Sequence, residues 1–526
     1  MTSRDRGPPF HARSAHERAG SPARSGGSGP QGSLAWGRAP GRPGGADGGG
    51  GVAERGGTAL LLLTRDLRVH DNPALAAAAE AGRVLPLFVL DDAVLASRYA
   101  APNRLAGLLA ALADLRAALK DLGADLVVRR GRTAEVVRAL AGEHRVGAIH
   151  VARDHSAYAH RREAALSALA ADLGATSVAH PGVMLVDPER VRATGGGHFK
   201  VFTPYWRRWS AVTPRPVLPP PDRLRLPAGV DPGPIPALAE LTSGAPAPGL
   251  APAGEVAARA RLAWWLDGPV DAYATGRNLM AEDATSRLSP HLHLGTLSVT
   301  EVAAALDPRR PGHETFLQEL CWRDFNHQLL DARPDLARVD VRTQGDRWRD
   351  APDEVAAWRE GRTGYPVVDA GMRQLWHEGW MHNRARMVTA SFLTKHLYVD
   401  WRVGAWHFMD HLSDGDLANN FGQWQWTAGT GTDSRPNRMF NPVIQGERYD
   451  PDGAYVRRWV PELAGVGGKA VHQPRPASGA GGAPGGGLFD DPTADGAAAA
   501  YPPPIVDHRE ARARFLAARG AEDDEA

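Results

Sequence analysis

The chain has 526 residues, with 61 basic and 60 acidic side chains and a formal net charge of +1. A polyanionic partner therefore needs a local basic patch, because the global charge supplies no attraction. The lone Cys321 excludes an intrachain disulfide and suits a reducing, cytoplasmic setting, and no apolar run is long enough to span a bilayer.

Residues 1–57 are Gly-, Pro- and Arg-rich, without the apolar core of a signal peptide. They are too poor in apolar residues to offset the entropy of ordering, which predicts a disordered tail. A true start near Val52 would account for them equally well. Residues 58–189 change texture. ALLLLT, VLPLFVLD, ADLVVRRG and GAIHVARD read as buried strands, and SVAHPGVMLVDP as a fifth. Ala/Leu-rich helical stretches lie between them, such as RLAGLLAALADLRAALKDLG. Near-continuous apolar strands alternating with helices predict an α/β, doubly wound parallel sheet. Residues 190–254 are proline-rich and read as a connector laid over the surface. Residues 255–471 carry helical periodicity and little strand signal, predicting an all-helical second domain. Residues 472–526 return to Gly/Ala/Pro-rich sequence with an acidic end and are expected to be disordered.

Tryptophan is the compositional outlier. There are 15, and nine fall between Trp322 and Trp426. Several tempting motifs fail. The histidines of HEGWMH are five apart, where a zinc helix needs four. His407 and His411 have the spacing but no third ligand. DGDLANN misplaces the glycine and the closing Glu of a calcium loop, and GTGTD follows no strand. No metal site is expected.

Four stretches hold more polar and aromatic residues than a plain helical bundle requires. TSRLSPHLHLG puts hydroxyls of Thr285, Ser286 and Ser289 near a helix start, suited to phosphate or to ordinary capping. In ELCWRDF, Trp322 and Arg323 can stack on a base and pair with its phosphate, or pack in a core. GWMHNRARM sets Asn383 and Met387 on one helix face, where a flat heteroaromatic ligand would fit. DGDLANNFGQWQW offers Asp414 and Asp416 as acceptors beside two indoles, Trp424 and Trp426.

Together with TRDLRVHDNPAL, GYPVVDAGMRQL and TGTDSRPNRMFNP, these stretches resemble the photolyase/cryptochrome flavoproteins, most closely the class I cyclobutane pyrimidine dimer photolyases. The resemblance runs from about Ala59 to about Val471. Thr64 departs from it, since the family usually has an aromatic-Arg pair before DLR. The resemblance implies a Rossmann-like α/β domain followed by a helical domain holding FAD. Tyr273 and the run Thr285, Ser286, Arg287, Leu288 and Ser289 would hold its phosphates and ribose. Asp414, Gly415 and Asp416 would meet the ribityl and ring. Asn383 and Arg386 would line the pocket, with Arg386 paired to Asp414. Asn420 would sit beside flavin N5. Trp424, Trp401 and Trp348 match the family's electron-transfer chain, running from flavin to surface.

Trp426 and Trp322 match the walls that hold a flipped-out pyrimidine dimer. Glu319 matches the acid that hydrogen-bonds it, with Met387 alongside. Arg277, Arg323, Arg384 and Arg438 would contact phosphates, with Asn326, Asn383 and Gln445 nearby. The implied reaction is light-driven repair of UV-damaged DNA by reduced FAD (FADH⁻), in a monomer, with the dimer taken out of the stack. The implied antenna is 8-hydroxy-5-deazaflavin or methenyltetrahydrofolate. A blue-light receptor of the cryptochrome type is the rival. Trp322, Trp426, Met387 and Asn420 favour repair. The (6-4) subtype uses histidines near the GWMHN stretch, which here reads as the dimer type. Recruitment of partners by the tails is a third reading.

Overall fold

The computed structural model of the chain describes residues 57–474 and 501–521. Expectations for residues 1–56, 475–500 and 522–526 fall outside the described residues. Five parallel strands form one sheet: β1 (Gly57–Leu63), β2 (Gly82–Asp91), β3 (Val127–Gly131), β4 (Val146–Ala152) and β5 (Thr176–His180), in the order β3-β2-β1-β4-β5. The central β1 is buried along nearly its whole length. Its alternating side chains serve opposite faces: Leu61 and Leu63 enter one apolar cluster, Leu60 and Leu62 another. Helices therefore cover both sides, which explains the continuous apolar run. The order reverses between β1 and β4, and such a switch point opens a crease at the carboxyl ends of the strands.

Beyond His180 there is no strand among the described residues. The spine of the helical half is the Pro311–Ala332 helix, which starts with proline at its first turn, where the missing N–H costs nothing. The Leu417–Ala428 helix packs against it, the Asn383–Ser391 and Trp401–His411 helices pack against Leu417–Ala428, and Pro366–Glu378 packs on Asn383–Ser391. No described helix is long and apolar enough to cross a membrane.

Residues 190–254 differ from a loose connector. The Phe202–Trp209 helix buries Tyr205 and Trp209. Trp209 Nε1 donates to Asp324 Oδ2 at 2.9 Å. Val84 N donates to Arg225 O at 2.8 Å and Val128 N to Pro232 O at 2.8 Å. The segment thus satisfies free backbone groups of the sheet, which proline-rich composition does not reveal.

The expectation of a disordered C-terminus from residue 472 is corrected for residues 501–521. These include the His508–Ala518 helix, capped by Asp507. Phe515 and Leu516 are buried against Tyr398 and Met439. Tyr501 donates to Asp369, and Tyr365 Oη donates to Val506 O at 2.7 Å. Arg519 pairs with Asp346 at 2.7 Å, each side chain 2% exposed. A short amphipathic helix after a Gly/Ala-rich stretch looks dispensable in sequence, and only the groove that receives it makes it stable. Arg519→Ala leaves a buried carboxylate unpaired and is expected to cost about 3–5 kcal/mol. Urea denaturation of the full chain checks this. Truncation after residue 500 should destabilise at least as much.

Candidate active site

Two carboxylates define the centre. Both lie on the short segment joining the Trp401–His411 and Leu417–Ala428 helices. Arg386 donates to Asp414 in a two-point fork, at 3.1 and 2.8 Å. Ser289 Oγ adds a third bond at 2.5 Å. Asp416 caps the following helix, accepting from Asn419 N at 2.9 Å. It also accepts from Arg65 Nη2 at 2.5 Å, across the junction with the α/β half. Burial works against its charge, but His327, Arg65 and His293 outweigh burial and hold its carboxyl well below the usual range. Gly415 between them is required: a Cβ there would lie 2.5 Å from Arg104 Nη1. Arg104 in turn donates to Leu412 O at 2.8 Å and to Met409 O.

Buried polar atoms without a hydrogen-bond partner include His382 Nε2 and Arg384 Nε, and Arg287 Nε has only an ion pair with Asp283 at 3.3 Å. They belong to the segments that supply Ser289 and Arg386. Leaving them unmade is costly, so this set fits a polar ligand. Arg287 has a left-handed backbone (φ 51°) and stacks its guanidinium 4.3 Å over Trp380. The Leu288 side chain is buried in the core, so only its backbone can meet a ligand. Tyr273 is also buried, its ring edge-on to Trp265 and Phe316. The Thr285 and Ser286 carbonyls each accept from Arg261 at 2.9 Å. Asn420 donates one amide hydrogen to Ala405 O at 2.9 Å, leaving its oxygen for a ligand.

The indoles separate by helix geometry. Two positions apart on one helix, Trp424 and Trp426 point to nearly opposite sides. Trp424 is buried, edge-on to Phe408 at 4.9 Å and Trp358 at 6.1 Å. A Cβ on Gly404 would overlap its ring. Trp401 is fully buried and donates Nε1–H to Asp340 at 2.9 Å. Trp348 packs at the edge of the same apolar cluster, 5.1 Å from Tyr398. Trp426 is only half-buried, under the Arg438 guanidinium at 5.1 Å.

Glu319 accepts from Arg277 at 2.6 Å and remains one-third exposed. Burial raises its pKa more than Arg277 lowers it. One turn on, Trp322 stacks flat on Phe202, with centroids 3.7 Å apart. Arg384 donates to Asn278 at 2.6 Å and lies 4.3 Å over Tyr449. Burial lowers its pKa, Tyr449 opposes, and the nearby guanidiniums of Arg277, Arg448 and Arg438 reinforce burial. Four arginines thus gather here, with Glu319 among them. Met387 and Gln445 are half-buried, and Asn383 is exposed at the start of its helix.

Two expected DNA contacts are corrected. Arg323 is mostly buried and donates to Val183 O at 2.5 Å and Leu292 O at 3.3 Å. Asn326 is buried and donates to Asn419 Oδ1 at 3.1 Å. Both point into the helix packing, where they satisfy main-chain and side-chain acceptors and cannot reach a phosphate. Conversely, Arg65, Arg104, Phe202 and Arg448 went unassigned. Arg65 lies within TRDLRVHDNPAL, so its motif was visible. The others carry no local signal.

A model of the DNA photolyase family matches residues 59–222, and one of the FAD binding domain of DNA photolyase matches residues 316–521. A deoxyribodipyrimidine photo-lyase of Streptomyces griseus is 51% identical over 469 residues, covering 88% of this chain and 99% of that protein. The chain belongs to the DNA photolyase family. As a photolyase it is a DNA-repair flavoprotein of the lyase class, and its helical half is the FAD-binding domain. The crystal structure of a class III photolyase from Agrobacterium tumefaciens superposes with a TM-score of 0.80 at 35% identity, covering 88% of this chain and 97% of that one. An archaeal photolyase from Sulfolobus tokodaii, solved with two FAD molecules, gives a TM-score of 0.74 at 29% identity, covering 88% and 99%.

The strand of chain bearing Arg438 depends on Lys395, which is buried and donates to Pro436 O at 3.0 Å and Arg438 O at 2.5 Å. Burial lowers its pKa from 10.5 to about 7, and Arg519 adds to this. The unfolded chain therefore binds more protons than the folded one between these values, so stability rises with pH across that window. Lys395→Met is expected to flatten this rise, measured by urea denaturation at several pH values within it.

Proposed function

We propose that this photolyase repairs cyclobutane pyrimidine dimers in UV-damaged DNA under blue or near-UV light. The observation that carries the reading is the placement of Glu319, one-third exposed, hydrogen-bonded to Arg277 and one helical turn from Trp322, with burial pushing its pKa upward. A protonated Glu319 donates a hydrogen bond to a dimer carbonyl and steadies negative charge as it develops there. Trp322 and Trp426 supply flat apolar walls for an extruded base pair, with Met387 alongside, and the guanidiniums bind flanking phosphates.

Bound in its reduced form, FAD supplies the photoexcited electron that opens the cyclobutane ring, and recovers it afterwards. This chain's part is positioning. Asp414 and Asp416, fixed by Arg386 and Arg65, would offer acceptors to the ribityl and ring. Ser289, Asn383 and Tyr273 would help hold the cofactor, and the Asn420 oxygen, free of a protein donor, would be available to its ring. Trp424, Trp401 and Trp348 form an indole path from the buried wall to the surface that suits delivery of reducing equivalents. The protein acts as a cytoplasmic monomer.

A second chromophore has a place to bind. A cavity of about 280 Å³ lies at the carboxyl ends of β1 and β2, lined by Leu62, Phe88, Leu90, Leu105 and Leu108, with Arg65, Asp91 and Arg162 at its polar edges. An apolar slot with a few charged corners suits the flat fused ring system of either 8-hydroxy-5-deazaflavin or methenyltetrahydrofolate.

Irradiating the reduced protein with UV-damaged oligothymidylate should restore thymine absorbance. Glu319→Ala removes a hydrogen bond to a charged group, worth about 1.5–3 kcal/mol, so repair should slow roughly ten- to hundredfold. If the flavin photoreduces and the dimers persist, the repair reading fails and a photoreceptor role leads. Trp401→Phe should abolish photoreduction by external thiol yet spare repair by chemically reduced protein. Arg438→Ala should lower the salt dependence of DNA binding by about one unit of log–log slope.

A further inference from the structure

Three side chains outside this site converge at the junction of the two halves. His155 follows β4, His160 lies on the Ala157–Asp172 helix, and Asp331 lies at the end of the Pro311–Ala332 helix. His155 Nδ1 and His160 Nε2 each stand 3.2 Å from the same atom, Asp331 Oδ1. All three donor atoms lie within 4.8 Å of one another. Around a tetrahedral zinc ion, bonds of about 2.0–2.2 Å place neighbouring donors roughly 3.3–3.5 Å apart. Both histidine–carboxylate distances are close to that, and the two imidazole nitrogens lie within 4.8 Å of each other, so an ion could enter between the three donors with modest side-chain rotation.

A plain hydrogen-bonded cluster explains less. At 3.2 Å both contacts sit at the long limit for N–H···O, and both crowd onto one carboxylate oxygen. His155 is 3% exposed, and its Nε2 makes no hydrogen bond. Burying such an imidazole is costly unless its other nitrogen is strongly engaged. His160 and Asp331 are 45% and 35% exposed, so an ion has an entry path and water can complete its shell. Two imidazoles and one carboxylate suit a first-row transition ion and not magnesium or calcium, which prefer all-oxygen shells.

We propose that His155, His160 and Asp331 form a binding site for a first-row divalent ion such as Zn²⁺. The ion ties the loop after β4 to the helix that carries Glu319 and Trp322. It also steadies Asp154, next to His155, whose carboxylate pairs with Arg65, the partner of Asp416.

Chelator-treated full-length protein is titrated with ZnCl₂ by calorimetry, and its metal content is measured after gel filtration. The expected result is one tightly held Zn²⁺ per chain and a rise in Tm on loading. Asp331→Asn and His160→Ala should each abolish both effects while keeping the metal-free Tm and circular dichroism spectrum. Asp331→Asn preserves shape, so it reads the site even if the other variant folds poorly. Absence of stoichiometric uptake by the wild-type chain, or uptake unchanged in both variants, overturns the proposal.

Discussion

Everything functional in this molecule hangs on two buried carboxylates held from two sides. Asp414 and Asp416 are separated by a glycine, so backbone and charge come very close together. Arg386 and Ser289 grip the first from within the helical half. Arg65 reaches the second from the α/β half, and Arg104 ties down the carbonyls just before it. An isolated buried carboxylate would neutralise itself. At Asp416 the neighbouring His327, Arg65 and His293 outweigh burial and hold the carboxyl well below the usual range. The Arg65–Asp416 pair also ties the sheet domain to the helical half.

The Pro311–Ala332 helix distributes this order. Its faces have separate duties. Glu319 looks toward the arginine cluster, and Trp322 stacks on Phe202. Arg323 and Asp324 turn inward to the Val183–Val186 backbone and the Trp209 indole. Asn326 meets Asn419 beside Asp416, and Asp331 reaches the histidines after β4. A single 22-residue rod thus couples Glu319 and Trp322, the loop bearing Asp414 and Asp416, and the domain junction. Distortion at one end is therefore expected to be felt at the other, since packed cores transmit strain.

The two indoles of the WQW stretch illustrate how burial assigns chemistry. They share a helix, yet Trp424 is sealed among Phe408 and Trp358 while Trp426 meets Arg438 near solvent. Gly404 makes room for the first. Lys395 and the C-terminal helix brace the segment that covers the second. Residues far apart in the chain therefore set which indole is sealed in the core and which reaches solvent.

Much of this could be read in the sequence. The apolar strand runs, the helical periodicity after residue 255 and the motif set are local patterns, and local patterns survive in one dimension. They determined the parallel sheet, the helical half and the family. The tertiary structure decided the rest, because burial and partnership are relations between distant residues. Arg323 and Arg384 look equivalent as cationic neighbours of aromatic residues. Only packing turned the first inward to carbonyls and left the second among guanidiniums. The His508–Ala518 helix looked like part of a tail until a groove lined by Tyr398 and Met439 received it. The meeting of His155, His160 and Asp331 spans more than 170 positions, a separation no spacing rule could bridge.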